Sequence, residues 1–140
     1  MPHAPRPAHS RMGVAMTFTE SVGYCLMNYF TVSGRGGRSE YWWFILASFI
    51  AGVLGSIVDI IIGFQIVGPL VALAVFIPTI TAATRRLHDI DRSGWWQLIA
   101  LIPLLGGLLL LVSLASRGTD GPNRFGRAPA GAGLPSPLRA

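Results

Sequence analysis

The chain has 140 residues, of which 51% are hydrophobic and only 12% charged, and it carries a formal charge of +5. Soluble globular domains hold roughly 25% charged residues, so this composition excludes an ordinary soluble fold. All eleven basic residues are arginine, spread over loops and tail rather than gathered in one run, which argues against nucleic-acid binding.

Residues 1–15 are rich in Pro, Ala, His and Arg and lack the apolar core of about 7 to 15 residues that a cleavable signal peptide requires. They read as a disordered, dispensable arm, with Met16 opening the organised chain. Thr17 and Glu20 then have capping-box spacing and predict a helix start. Phe18, Val22, Cys25, Leu26 and Tyr29 follow at three-to-four-residue intervals, one apolar stripe about three turns long. That is too short to cross a bilayer, and the expectation is an amphipathic helix lying in the interface. Cys25, the single cysteine, allows no internal disulfide and reads as an inert small apolar residue.

A loop at Ser33, Gly34, Gly36 and Gly37 leads to residues 41–64, which reach roughly 36 Å as a helix, enough for a hydrocarbon core of ~30 Å. Asp59 is the sole charge within this first span and falls toward its far end. An acid at that depth reads as snorkelling or tail-paired, the alternative being an ion or proton pathway. Ala47, Ala51 and Gly55 repeat at four-residue spacing and form a candidate packing seam, within the chain or between chains. Gly63, Gly68 and Pro69 mark a turn into a second span at 66–84, kinked by Pro78. Residues 95–115 contain no charge and predict a third span. Pro103, Gly106 and Gly107 weaken its middle, so a broken or re-entrant segment is the alternative. The membrane domain is expected to cover 16–127, and 128–140 reads as a disordered tail.

Three spans would place the start of the first, the end of the second and the start of the third on one face. That face collects Arg35, Arg38, Glu40, Arg85, Arg86, His88, Asp89, Asp91 and Arg92, with Trp42, Trp43, Trp95 and Trp96 as an aromatic belt. Arg117, Arg124 and Arg127 would lie on the opposite face, and the arginine excess predicts that the crowded face is cytoplasmic.

Several motifs in order carry a resemblance: Gly34-Arg35, then Arg38-Ser39-Glu40-Tyr41-Trp42-Trp43-Phe44, Arg85-Arg86-Leu87-His88-Asp89, Arg92-Ser93-Gly94-Trp95-Trp96, and the tail motif Asn123-Arg124-Phe125-Gly126. The opening Met16-Thr17-Phe18 leading to Cys25 fits the same pattern. Over about 17–127 the chain resembles the bacterial inner-membrane domain of unknown function 805 family. The resemblance implies a small multi-spanning protein of the cytoplasmic membrane and brings no activity with it.

The expected architecture is therefore an all-α integral membrane protein, about three transmembrane helices preceded by a short interfacial helix. The polar cluster admits two readings. His88 and Asp91, three residues apart, could share a cation, or His88 could move a proton, and the arginines could hold lipid phosphate. Alternatively the arginines and acids of the cluster neutralise one another and fasten the second span to the loop at Arg38 and Glu40. The second reading is favoured, with no catalytic residue, cofactor or metal assigned. The expected role is a non-catalytic scaffold or accessory component. The alternatives are an oligomeric transporter or channel subunit, and a membrane enzyme or lipid-phosphate site at residues 85–92. Expected partners are membrane lipid, including anionic headgroups, and a second copy or another membrane protein.

Overall fold

The computed structural model describes residues 15–129; all but the last residue of the expected arm and most of the expected tail lie outside them. The described residues form helices without strands: α1 (Phe18–Met27), α2 (Arg38–Ile62), α3 (Val67–Asp89), a 3₁₀ helix (Gly94–Leu101) and α4 (Leu105–Ala115). The capping box forms as its spacing predicts, with Thr17 Oγ1 accepting from the Glu20 amide at 3.4 Å and the Thr17 amide donating to Glu20 Oε2 at 2.9 Å. Two helices, α2 with 25 residues and α3 with 23, are long and apolar enough to cross a membrane. At ~1.5 Å per residue each exceeds a ~30 Å hydrocarbon core.

Gly63 ends α2 in the left-handed region at φ 76°, where glycine carries no Cβ penalty. Where α2 and α3 then cross, a Cβ at Gly55 would stand 3.2 Å from Gly68 Cα, so the small-residue seam serves packing within the chain at this position. Asp59 is buried there and neither snorkels nor pairs with the tail. Its Oδ1 accepts the amides of Ile66 and Val67 at 3.0 and 2.7 Å, and Oδ2 that of Gly68 at 2.7 Å. The first turn of α3 has no side-chain cap of its own, so an acid one helix away takes up its free donors and faces the positive end of its dipole.

Pro78 sits inside α3 and cannot donate to the carbonyl of Ala74. Tyr29, just beyond α1, supplies the missing donor through its hydroxyl at 2.6 Å. Thr81 Oγ1 in turn donates to the Tyr29 carbonyl at 3.1 Å. The apolar core is small and lies near the crowded ends of α2 and α3: Cys25, Tyr41, Phe44, Ala82, Ala83, Leu87 and Leu114. The large apolar side chains elsewhere, among them Phe49, Ile60, Leu70 and Leu73, are exposed, as a lipid-facing surface demands.

The third segment departs from the expectation of one continuous helix over 95–115. Pro103 disfavours helical backbone at the residue before it, and Ile102 is extended at ψ 117°. Leu104 then takes φ 60°, and the chain turns back into α4, which at eleven residues is only about 16 Å long. A Cβ at Gly106 would collide with the Ile99 carbonyl, so the two arms pack directly on each other. Both ends of this hairpin meet the same end of α3. A Cβ at Gly94 would stand 2.7 Å from Thr84 Cγ2, and Gln97 Nε2 donates to Thr84 Oγ1 at 2.8 Å. Two residues along α3, Arg86 Nε donates to the Leu114 carbonyl at 3.0 Å.

Candidate functional site

The last turns of α3 form the most buried part of the chain: residues 81–87 and Asp89 are all buried. Arg35, Arg85 and Arg86 are buried with them, together with the carboxylates of Glu40 and Asp89. Charges withdrawn from water need partners at close range, and the two carboxylates divide the work. Asp89 Oδ1 accepts Arg35 Nε at 3.0 Å and Nη2 at 2.9 Å, while Oδ2 accepts Arg86 Nη1 at 2.7 Å. Glu40 Oε1 accepts Arg85 Nε at 3.0 Å and Nη2 at 2.9 Å.

Three guanidinium groups face two carboxylates, and main-chain carbonyls hold the surplus charge. Arg35 also donates to the carbonyls of Thr119 and Gly121, Arg86 to those of Leu114 and Ser116, and Arg85 to that of Thr31 at 2.6 Å. The acceptors thus come from the loop after α1, from α2, α3 and α4, and from the chain beyond α4. Arg85 Nη2 also approaches Cys25 Sγ at 3.6 Å. Burial, reinforced by the Glu40 carboxylate, pushes the Cys25 thiol up to about 12, which keeps it protonated and inert.

Glycines let these segments close on the centre. A Cβ at Gly36 would stand 3.2 Å from Arg85 Cβ and 3.3 Å from both Glu40 carboxylate oxygens, and the Gly36 amide donates to the Arg85 carbonyl at 2.8 Å. A Cβ at Gly118 would collide with the Asp89 carboxylate.

The tail motif closes over the same centre. Asn123 and Gly126 exchange main-chain hydrogen bonds of 2.9 and 3.0 Å, and Asn123 Nδ2 donates to the His88 carbonyl at 2.8 Å. Phe125 stacks on the His88 ring at 3.9 Å and 3°. His88 Nδ1 lies 3.0 Å from the Gly34 carbonyl, which can only accept, so that nitrogen carries a hydrogen. Arg124 meets Asp91, Nε to Oδ1 at 3.2 Å and Nη2 to the main-chain carbonyl at 2.9 Å. The Gly126 carbonyl takes a longer bond from Arg35 Nη1, 3.4 Å.

The cluster read from the sequence thus separates into layers. Arg35, Glu40, Arg85, Arg86 and Asp89 form the buried centre, and His88, Asn123 and Phe125 cover it. Asp91, Arg92 and Arg124 stand at the rim, and Arg38 is exposed on the first turn of α2. His88 Nδ1 meets the Gly34 carbonyl and Asp91 meets Arg124, and the described residues hold no group of three metal-ligating side chains. The tail arginines Arg117 and Arg124 were expected across the membrane from this cluster. Instead Arg124 binds Asp91, and Ser116, just before Arg117, is held by Arg86, because the broken third segment brings the chain back to the end of α3.

Sequence reasoning missed Thr119, whose amide and hydroxyl both donate to the Asp89 carbonyl at 2.8 and 2.9 Å. It also missed the closely packed Gly118 and the acceptor at Gly121. The only signal was the density of glycine and small polar residues over 116–126, a pattern equally suited to an unstructured tail.

Comparison with known sequences gives consistent results. The profile of the family described as "Protein of unknown function (DUF805)" matches residues 29–127. Inner membrane protein YhaI of Escherichia coli (strain K12) is 43% identical over 106 residues, covering 74% of this chain and 90% of that protein. Inner membrane protein YhaH of the same strain is 41% identical over 110 residues, covering 74% and 91%. No solved structure matches significantly.

Proposed function

The chain belongs to the DUF805 family of proteins of unknown function and is a multi-pass protein of the inner membrane, and from that premise we propose that it serves there as a non-catalytic scaffold or accessory component. The observation that carries this reading is the engagement of all three buried guanidinium groups by acceptors within the chain. A site for phosphate or metal needs donors or ligands left over, and the buried centre instead uses them to join five segments. Removing one member of such a network costs more than the network contributes net, which makes it a device for specifying one arrangement.

We further propose two crossing helices, α2 and α3, and a third segment that enters and leaves the membrane by one face in place of a third span. The 3₁₀ helix and α4 each reach about 16 Å, half of a ~30 Å hydrocarbon core. Loop, hairpin base and tail then share one side with Arg35, Arg38, Arg85, Arg86, Arg92, Arg117 and Arg124. The connection at 60–66 carries no ionisable side chain. This asymmetry supports a cytoplasmic location for the arginine face.

The test is thermal unfolding of the full chain in lipid nanodiscs. The scaffold reading expects a melting temperature unmoved by inorganic phosphate or divalent metal. A ligand-dependent rise that His88→Ala abolishes would replace it with a binding or catalytic site.

A further inference from the structure

Among the arginines of the crowded face, Arg92 differs from those of the buried centre. Its guanidinium carbon lies over the Trp96 ring, 4.2 Å from the centroid, and no carboxylate or carbonyl partner holds it among the described residues. Stacking of this kind orients a guanidinium while leaving its N–H edge free. Arg92 lines an open groove of about 550 Å³, together with Ile90, Asp91, Ser93, Trp95, Trp96 and Arg124. Arg124, which also lines the groove, is held by Asp91 in an exposed pair, the weakest kind of ion pair.

The place of the groove in the fold narrows the ligand. It lies where α3 has just ended and the hairpin begins to descend, at the level of the tryptophan belt. Trp95 is 79% exposed beside it, and Leu98 and Leu101 of the 3₁₀ helix continue the exposed apolar surface from there. A ligand that fits has an anionic, two-oxygen group for the two guanidinium forks and a hydrocarbon portion for Trp95 and the leucines. We propose that this groove binds the phosphodiester of an anionic membrane lipid, with Arg92 as the principal phosphate ligand, Arg124 as the second, and the acyl chains laid along the 3₁₀ helix. Asp91 opposes the ligand, since its carboxylate competes with phosphate for Arg124.

Native mass spectrometry of the full detergent-solubilised chain, incubated with phosphatidylglycerol, phosphatidylcholine or inorganic phosphate, tests the proposal. One phosphatidylglycerol should be retained in preference to phosphatidylcholine, and inorganic phosphate should not displace it. Arg92→Gln should weaken retention about fivefold or more, the scale expected of one arginine at an anionic surface. Asp91→Asn should strengthen it, and Arg117→Gln, which does not line the groove, should leave it unchanged. Melting of the lipid-free variants checks that Arg92→Gln is folded; if it is not, the rise in affinity of Asp91→Asn becomes the deciding measurement. Equal losses in Arg92→Gln and Arg117→Gln would overturn the site in favour of diffuse surface charge. Displacement by inorganic phosphate would overturn the lipid as ligand, and unchanged or weaker binding in Asp91→Asn would remove the groove altogether.

Discussion

The hydroxyl of Tyr29 donates to the main-chain carbonyl of Ala74 at 2.6 Å, across 45 positions of sequence. Ala74 is the acceptor that Pro78 leaves without a donor, so the tyrosine repairs the interruption in α3 and fixes the end of α1 against it. Tyr29→Phe should cost about 1 to 3 kcal/mol, because Ala74 lies on the exposed surface of a membrane-crossing helix and its carbonyl would be stranded in lipid or detergent, away from water. Pro78→Ala restores the amide, and in that background the same substitution should cost well under about 1 kcal/mol. A double-mutant cycle by thermal unfolding in detergent measures the difference, and equal costs in both backgrounds would exclude the repair.

Asp89 binds two buried arginines at once, and neither has a second carboxylate among the described residues. Asp89→Ala should destabilise the fold by about 3 to 5 kcal/mol because it leaves buried charge uncompensated. Arg117 pairs with Asp120 at 3.4 Å in the open, both side chains more than 70% exposed. Arg117→Ala should shift stability by less than about 1 kcal/mol. A matched pair of unfolding curves separates the two, and a mild Asp89→Ala would mean that the centre is solvated.

Asp59 caps a helix other than its own. Asp59→Ala strands three amides at the start of α3 and should cost about 2 kcal/mol or more, the upper end for loss of a cap. Asp59→Asn keeps an acceptor but loses the charge that faces the helix dipole, and should fall between wild type and alanine. Urea unfolding in detergent gives the ranking, and an asparagine variant as unstable as alanine would assign the whole effect to charge.

The two-span topology has a direct readout. Reporter fusions after Arg92 and after Arg127 should report the same compartment, and a fusion after Phe64 the opposite one. Disagreement between the first two would restore a third crossing and remove the re-entrant hairpin.

Burial raises the Cys25 thiol from 9.0 to about 12. The reactive thiolate is therefore scarce at pH 8, and maleimide should label the folded protein at least about a hundredfold more slowly than the denatured chain. The folded thiol keeps its proton through the window between those two values. Its contribution to stability is therefore complete below pH 9 and is lost as pH rises toward about 12. Stopped-flow alkylation checks the first statement, and labelling at the denatured rate would show Cys25 open to solvent.

The sequence alone determined the elements whose cause is local. Thr17 and Glu20 specify the start of α1, and the long uncharged runs specify α2 and α3, because capping geometry and span length depend only on neighbouring residues. The co-location of Arg35, Glu40, Arg85, Arg86 and Asp89 was also legible, since two crossing helices bring their charged ends together. Tertiary structure decided the partners. Asp59 looked like a snorkelling acid until the tight approach of Gly55 and Gly68 brought the start of α3 onto it. Pro103 was visible as a weakness, but whether it kinks or reverses the third segment depends on whether its far end has somewhere to dock. Arg86 provides that place through the carbonyls of Leu114 and Ser116. Once the chain turned back, Asn123, Phe125 and Gly126 covered His88 and Arg35. A buried guanidinium also takes neutral carbonyl acceptors, and carbonyls are present at every residue. Nothing in residue identity could single out Leu114, Thr119 or Gly121 before the fold had brought them within reach.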